Sequence, residues 1–121
     1  MRDDRDHLDD ILQHIGRIQT YTKDWKQGFM DSEIVQDAVI RNFAVIGEAA
    51  RNLYEELRAS HPEVPWRQIA AFRNFVIHAY WGVKMERVWQ IVEDDLLPLK
   101  IQIEAILQTL DEEDHNGEED D

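Results

Sequence analysis

EIVQDAVIRNFAVIGEAARNLYEELRA, residues 33–59, decides the fold. Ile34, Val35, Ala38, Val39, Phe43, Ile46, Ala49, Ala50, Leu53 and Leu57 recur at three- and four-residue steps, which lays one broad apolar face along an α-helix. Asp31 or Ser32 stands where an N-cap is needed. Ala44, Gly47, Ala49 and Ala50 are small enough to let another helix approach closely. Arg41, Asn42 and Glu48 interrupt the apolar pattern. Glu48 has two readings: a helix-face ion pair with Arg51 or Arg41, or a carboxylate reaching across the bundle to orient Arg73 or His78. The second gains weight because an unpaired carboxylate beside a close-packing strip is costly.

The same period runs through the rest of the chain. Leu8, Ile11, Leu12, Ile15, Ile18 and Tyr21 mark a helix over 3–22, with Asp3, Asp4 and Asp6 at its favourable end. Residues 23–32 form a connection, which Trp25, Phe29 and Met30 are expected to pin to the core. SHPEVP, residues 60–65, breaks the chain with two prolines, and Trp66 opens a helix expected over 66–81. A last helix spans 84–110, with Pro98 expected to kink it or divide it after Leu97. The expected fold is therefore all-α, an up-and-down bundle of four main helices with short connections. Residues 1–110 form the domain, and the acidic run 111–121 is expected to be a disordered tail.

At 121 residues without cysteine, the chain is long enough to bury roughly two-thirds of its unfolded surface and has neither disulfides nor thiolate metal sites. The opening MRDDRDHLDD is unlike a signal peptide and no apolar run suffices for a membrane span, so a cytoplasmic location is expected. Net charge is −13, but residues 111–121 carry eight acids and no Lys or Arg, so only five net negative charges remain on residues 1–110. That balance opposes tight non-specific nucleic-acid binding. It still leaves a small cluster of Arg41, Arg51, Arg67, Arg73, Lys84 and Arg87 able to hold RNA. His7, Asp10 and His14 are better read as a solvated helix face than as metal ligands, because no fourth donor converges on them. No metal and no cofactor is expected.

The polar exceptions gather in FRNFVIHAYWGV, residues 72–83. Asn74 and His78 share a helix face, as do Arg73 and Tyr80, whereas Arg73 and His78 lie about 140° apart on a regular helix. Either the helix ends near His78, or a second copy of the chain completes the pair. Gly82 is the expected helix stop. A purely structural role, with Arg73 in an ion pair and Tyr80 and Trp81 as half-buried anchors, would suit an isolated helix of this composition.

RNFVIHAY resembles the Arg-polar-x(3–5)-His signature of HEPN-domain ribonucleases, in the Arg-x4-His-x-Tyr form of the HepT-like branch. QDAVIRNFAVIGEAARNL (36–53), HPEVPWRQIAAFRNFVIHAYWGV (61–83) and VWQIVEDDLLPL (88–99) are similar to that family's successive blocks, in the same order. The resemblance implies a homodimeric RNA-cleaving toxin of a type VII-like toxin–antitoxin pair. In such toxins two motif helices face each other, and a minimal nucleotidyltransferase antitoxin transfers AMP to the motif tyrosine, here Tyr80. Arg73 and His78 would be catalytic, with Asn74 and Glu48 supporting them and Arg41, Trp81 and Lys84 holding RNA. Histidine moves protons near neutrality and arginine grips phosphate, so attack by the ribose 2′-OH needs no metal and gives a 2′,3′-cyclic phosphate. Ala79 stands where similar sequences often carry an acid, which leaves this chemistry intact. Two alternatives are a non-catalytic acceptor module for the nucleotidyltransferase, and a helical oligomer with a small-molecule or metal site at His7, Asp10 and His14.

Overall fold

Why the chain folds as it does begins with two side-chain caps. In the computed structural model, which describes residues 3–78, 82 and 84–119 (side chains of His78 and 115–119 excepted), Asp3 accepts the Asp6 N–H at 3.1 Å. That cap starts α1 (Asp4–Tyr21), whose Leu8, Ile11, Ile15 and Ile18 are fully buried. Ser32 accepts the Val35 N–H at 3.2 Å and starts α3 (Glu33–Arg51), so Ser32 rather than Asp31 is the cap. Between them α2 (Trp25–Asp31) buries Phe29 against Trp89, ring centroids 5.6 Å apart, and Gln36 ties its end by donating to the Phe29 and Met30 carbonyls. Trp25, expected in the core, is instead 69% exposed.

The helix expected over 33–59 is two helices. α3 stops at Arg51 and α4 (Glu55–Ser60) follows, because the Tyr54 N–H donates to Asp4 Oδ1 at 2.8 Å and Tyr54 is extended. That partner is 50 residues away in sequence, and it holds the end of α3 to the start of α1.

The motif helix expected over 66–81 is likewise broken. It is built from α5 (Trp66–Ala70), a 3-10 turn (Ala71–Asn74) and α6 (Phe75–His78). A 3-10 turn repeats every third residue, so Phe72 and Phe75 stack on one side. Both pack edge-on against Phe43 of α3, at 5.0 and 5.6 Å. Gly82, at φ 102°, lies in the left-handed region open to glycine.

α7 (Met85–Asp94) and α8 (Leu96–Glu119) divide at Asp95, three residues before Pro98. Pro98 sits in the first turn of α8, where its missing N–H has no helical acceptor to lose; its ring would clash with the carbonyl four residues back, that of Asp94. Leu99 N–H resumes the ladder on Asp95 O at 3.1 Å. The expected disordered tail departs further: α8 runs on as helix to Glu119. Arg5 of α1 meets Asp111 at 3.4 Å and bonds Asp114, and this pairing, the Asp114 hydrogen bond foremost, raises the Arg5 pKa.

The resulting fold is all-α, with α1 against α3 and α8 and with the motif segment against α3. Among the described residues there is no strand, and no helix is long and apolar enough to cross a membrane. Phe29, Phe43, Ile46, Ile69, Val88 and Ile103 share the core with α1.

Candidate functional site

The site begins with an absence of side chain. A Cβ on Gly47 would lie 2.6 Å from Arg73 N, 2.9 Å from Ile69 O and 3.0 Å from Ala70 O. Only glycine lets α3 press so close to the motif backbone, and that contact sets the height of the 3-10 turn over α3. Phe72 and Phe75 point into Phe43 from this turn, which leaves Arg73 facing outward and toward the next α3 residue, Glu48.

Arg73 Nη1 lies 3.7 Å from Glu48 Oε2, and Arg51 Nη1 approaches the same oxygen at 3.9 Å. The side chains of Arg73, Glu48 and Arg51 are 40, 53 and 57% exposed. Pairs this exposed add about 0–1 kcal/mol to stability, so their effect is chiefly on orientation. Both expectations for Glu48 meet in one geometry, since it has a helix-face pair, with Arg51 rather than Arg41, and a partner across the bundle. Two guanidiniums share one carboxylate, so the cluster keeps a net positive charge. The exposed fork of Arg73 retains donors for an incoming anion.

Around this cluster the other expected residues fall unevenly. Asn74 is half-buried at the end of the 3-10 turn. His78 is the last described residue of α6; its side chain is outside the described residues, as are Tyr80 and Trp81, and so is the expected end of the motif helix. Arg41 is exposed on α3, on the face of Glu48 two turns earlier. Lys84 is exposed and extended just before α7. His14, far along the chain in α1, has Nδ1 2.7 Å from Asp10 O and Nε2 3.4 Å from Arg17. A separate groove of about 450 Å³ is lined by Phe72, Phe75, Arg87, Ile91 and Leu99 among others, and Arg73 and Glu48 do not line it.

Sequence reasoning named Arg51 as a partner of Glu48 but missed the close approach that Gly47 permits. Gly47 was visible as one small residue among several. Its partner backbone, more than twenty residues on, was not.

An all-helical chain with an arginine held at a tight turn and a histidine five residues on defines a class, and comparison supplies the family. Residues 11–106 match the family described as HepT-like ribonuclease, and the chain belongs to that family. It is similar to a Thermococcus cleftensis protein named "Probable ribonuclease HepT", 37% identical over 106 residues, 87% of this chain and 96% of that one. A Methanocaldococcus jannaschii protein named "Putative RNase" is 37% identical over 117 residues, covering 96% of this chain and 97% of that one. A longer protein of the same organism, named "Gamma-glutamylcyclotransferase and putative RNase", is 38% identical over 116 residues, 95% of this chain; the chain spans about half, 52%, of its length. No solved structure matches the chain.

Proposed function

We propose that this chain is a metal-independent endoribonuclease toxin of a type VII-like toxin–antitoxin pair, acting on RNA at a homodimer cleft in the cytoplasm. The observation that carries the reading is the Glu48-braced Arg73, placed on an exposed turn five residues before His78 within the family-matched segment. RNA brings its own nucleophile. A base removes the 2′-OH proton, the 2′-oxygen bonds to phosphorus, and the bond from phosphorus to the 5′-oxygen breaks as that oxygen gains a proton. Products are a 2′,3′-cyclic phosphate and a 5′-hydroxyl. His78 performs one proton transfer, and a second motif from the other copy supplies the other. Arg73 holds the charge that builds on the phosphorane oxygens. Asn74 orients the imidazole or the RNA, and Arg41, Lys84 and Trp81 hold flanking nucleotides.

Control follows from Tyr80. A minimal nucleotidyltransferase antitoxin transfers AMP to its phenol, and the adenylate then competes as an anion for the arginine that holds phosphate. The test is RNA cleavage with intact-mass measurement, on protein made alone and on protein co-expressed with the nucleotidyltransferase. Cleavage by the unmodified chain, lost as Tyr80 gains adenylate mass, is the expected result. Adenylylation with no cleavage by either form would instead assign a non-catalytic acceptor module.

Glu48→Gln separates bracing from simple surface charge. Removing the carboxylate leaves Arg73 without its anchor, so kcat is expected to fall about three- to five-fold with unfolding free energy changed by less than about 1 kcal/mol. Steady-state kinetics beside urea unfolding reads both. An unchanged kcat makes Glu48 a surface residue.

A further inference from the structure

Trp25 departs twice from what a fold rewards. Its backbone lies at φ 68°, and it is the one non-glycine residue with positive φ among the described residues. A bulky side chain there meets a steric penalty that glycine escapes. Its ring is also 69% exposed, so it forgoes the burial that ordinarily places tryptophan inside. The fold recovers neither cost, since Phe29, one turn on, makes the core contact of α2 with Trp89. Strain kept at an exposed position points to a task outside the fold.

The setting narrows that task. The Trp25 N–H donates to Thr22 O at 2.9 Å, which closes the reversal from α1 into α2. Lys26, the next residue, is ion-paired with Glu86 in the first turn of α7, two residues beyond Lys84. That pair ties the start of α2 to the start of α7. Lys23, Asp24, Lys26 and Gln27 surround it in sequence and all are exposed. An exposed aromatic flanked in sequence by charged groups is unlike the centre of a protein interface, where charge is depleted. It suits a nucleobase, whose π-face any flat ring can meet while the exposed Lys23 is available to phosphate. With five net negative charges left on residues 1–110, stacking adds to the small basic cluster an affinity that does not depend on counterion release.

We propose that Trp25 is a stacking platform for an unpaired base of the RNA. The inference rests on the ribonuclease reading above. It is tested with Trp25→Gly and Trp25→Phe, measuring steady-state cleavage of single-stranded RNA, melting temperature, oligomeric state, and binding of a labelled single-stranded oligodeoxynucleotide. That probe lacks the 2′-OH and is not consumed. Trp25→Gly is expected to raise KM and the probe Kd about ten-fold or more, with kcat unchanged and Tm equal or higher. Trp25→Phe is expected to retain most of the binding. Unchanged KM and Kd in Trp25→Gly would overturn the proposal, as would loss of a dimer with KM unchanged, which would assign the ring to a contact between copies. If the wild-type chain cleaves no RNA, the ribonuclease reading fails by itself. The probe then decides alone: weaker binding by Trp25→Gly supports the platform, and no binding by wild type overturns it.

Discussion

His78→Ala is expected to lower the initial rate of RNA cleavage about 10²–10⁴-fold while the chain folds as before. The loss is large because a positioned proton carrier is removed and water is a poor substitute at neutral pH. Folding is expected to survive because α6 is held from its other end. Phe75 packs on Phe43 at 5.6 Å, and the preceding turn rests on Gly47. His78→Ala leaves the backbone N–H and C=O in place, so truncation removes no intrahelical hydrogen bond. Circular dichroism and urea unfolding of the variant are therefore expected to match wild type, so that lost activity reports chemistry.

Gly47→Ala is expected to damage both stability and activity. The added Cβ would meet three backbone atoms, Arg73 N at 2.6 Å, Ile69 O at 2.9 Å and Ala70 O at 3.0 Å. No rotamer change relieves a clash with backbone, so α3 and the motif turn must separate. Overpacking of this kind costs about 1–3 kcal/mol, against which the better helix propensity of alanine returns at most about 1 kcal/mol. Separation also lifts Arg73 away from Glu48 and from the phosphate it is to hold. A displacement near 1 Å can cost about 100-fold in rate. Urea unfolding gives the first effect and kcat the second. A Gly47→Ala chain as stable and as active as wild type would mean that the close approach is not what positions the turn.

Much of the fold was legible because its signals are local. The apolar period of Leu8 to Ile18 and of Val39 to Ala50 specifies two core helices, and Ser32 caps the second. What was misread depends on distant partners. Asp4 captures the Tyr54 N–H and ends α3 early, although the apolar pattern continues to Leu57. Gly47 and the Phe43 ring select a 3-10 turn at Ala71–Asn74, where the pattern alone reads as one helix. Arg5 engages Asp111 and Asp114 across 109 residues at the widest, so a run of acids that alone would repel itself continues α8. Trp25 looked like a core aromatic because composition does not reveal a positive φ.

The candidate site divides in the same way. The spacing of Arg73, Asn74, His78 and Tyr80 is written in the sequence, and the motif was found there. Glu48 could be placed only as one of two alternatives, because its distance to Arg73 depends on how tightly two segments pack. That tightness comes from Gly47, whose signal in one sequence is no stronger than that of Ala44 or Ala49.

The central claim is cleavage by the RNA's own 2′-OH, with proton transfer by His78. The most direct measurement is end-group analysis of the products from wild-type and His78→Ala protein acting on single-stranded RNA in excess chelator, beside the same oligonucleotide carrying 2′-deoxyribose. The account predicts 2′,3′-cyclic phosphate and 5′-hydroxyl ends from wild type, none from the deoxy substrate and almost none from His78→Ala. Products with 5′-phosphate ends, or equal cleavage by His78→Ala, would contradict it.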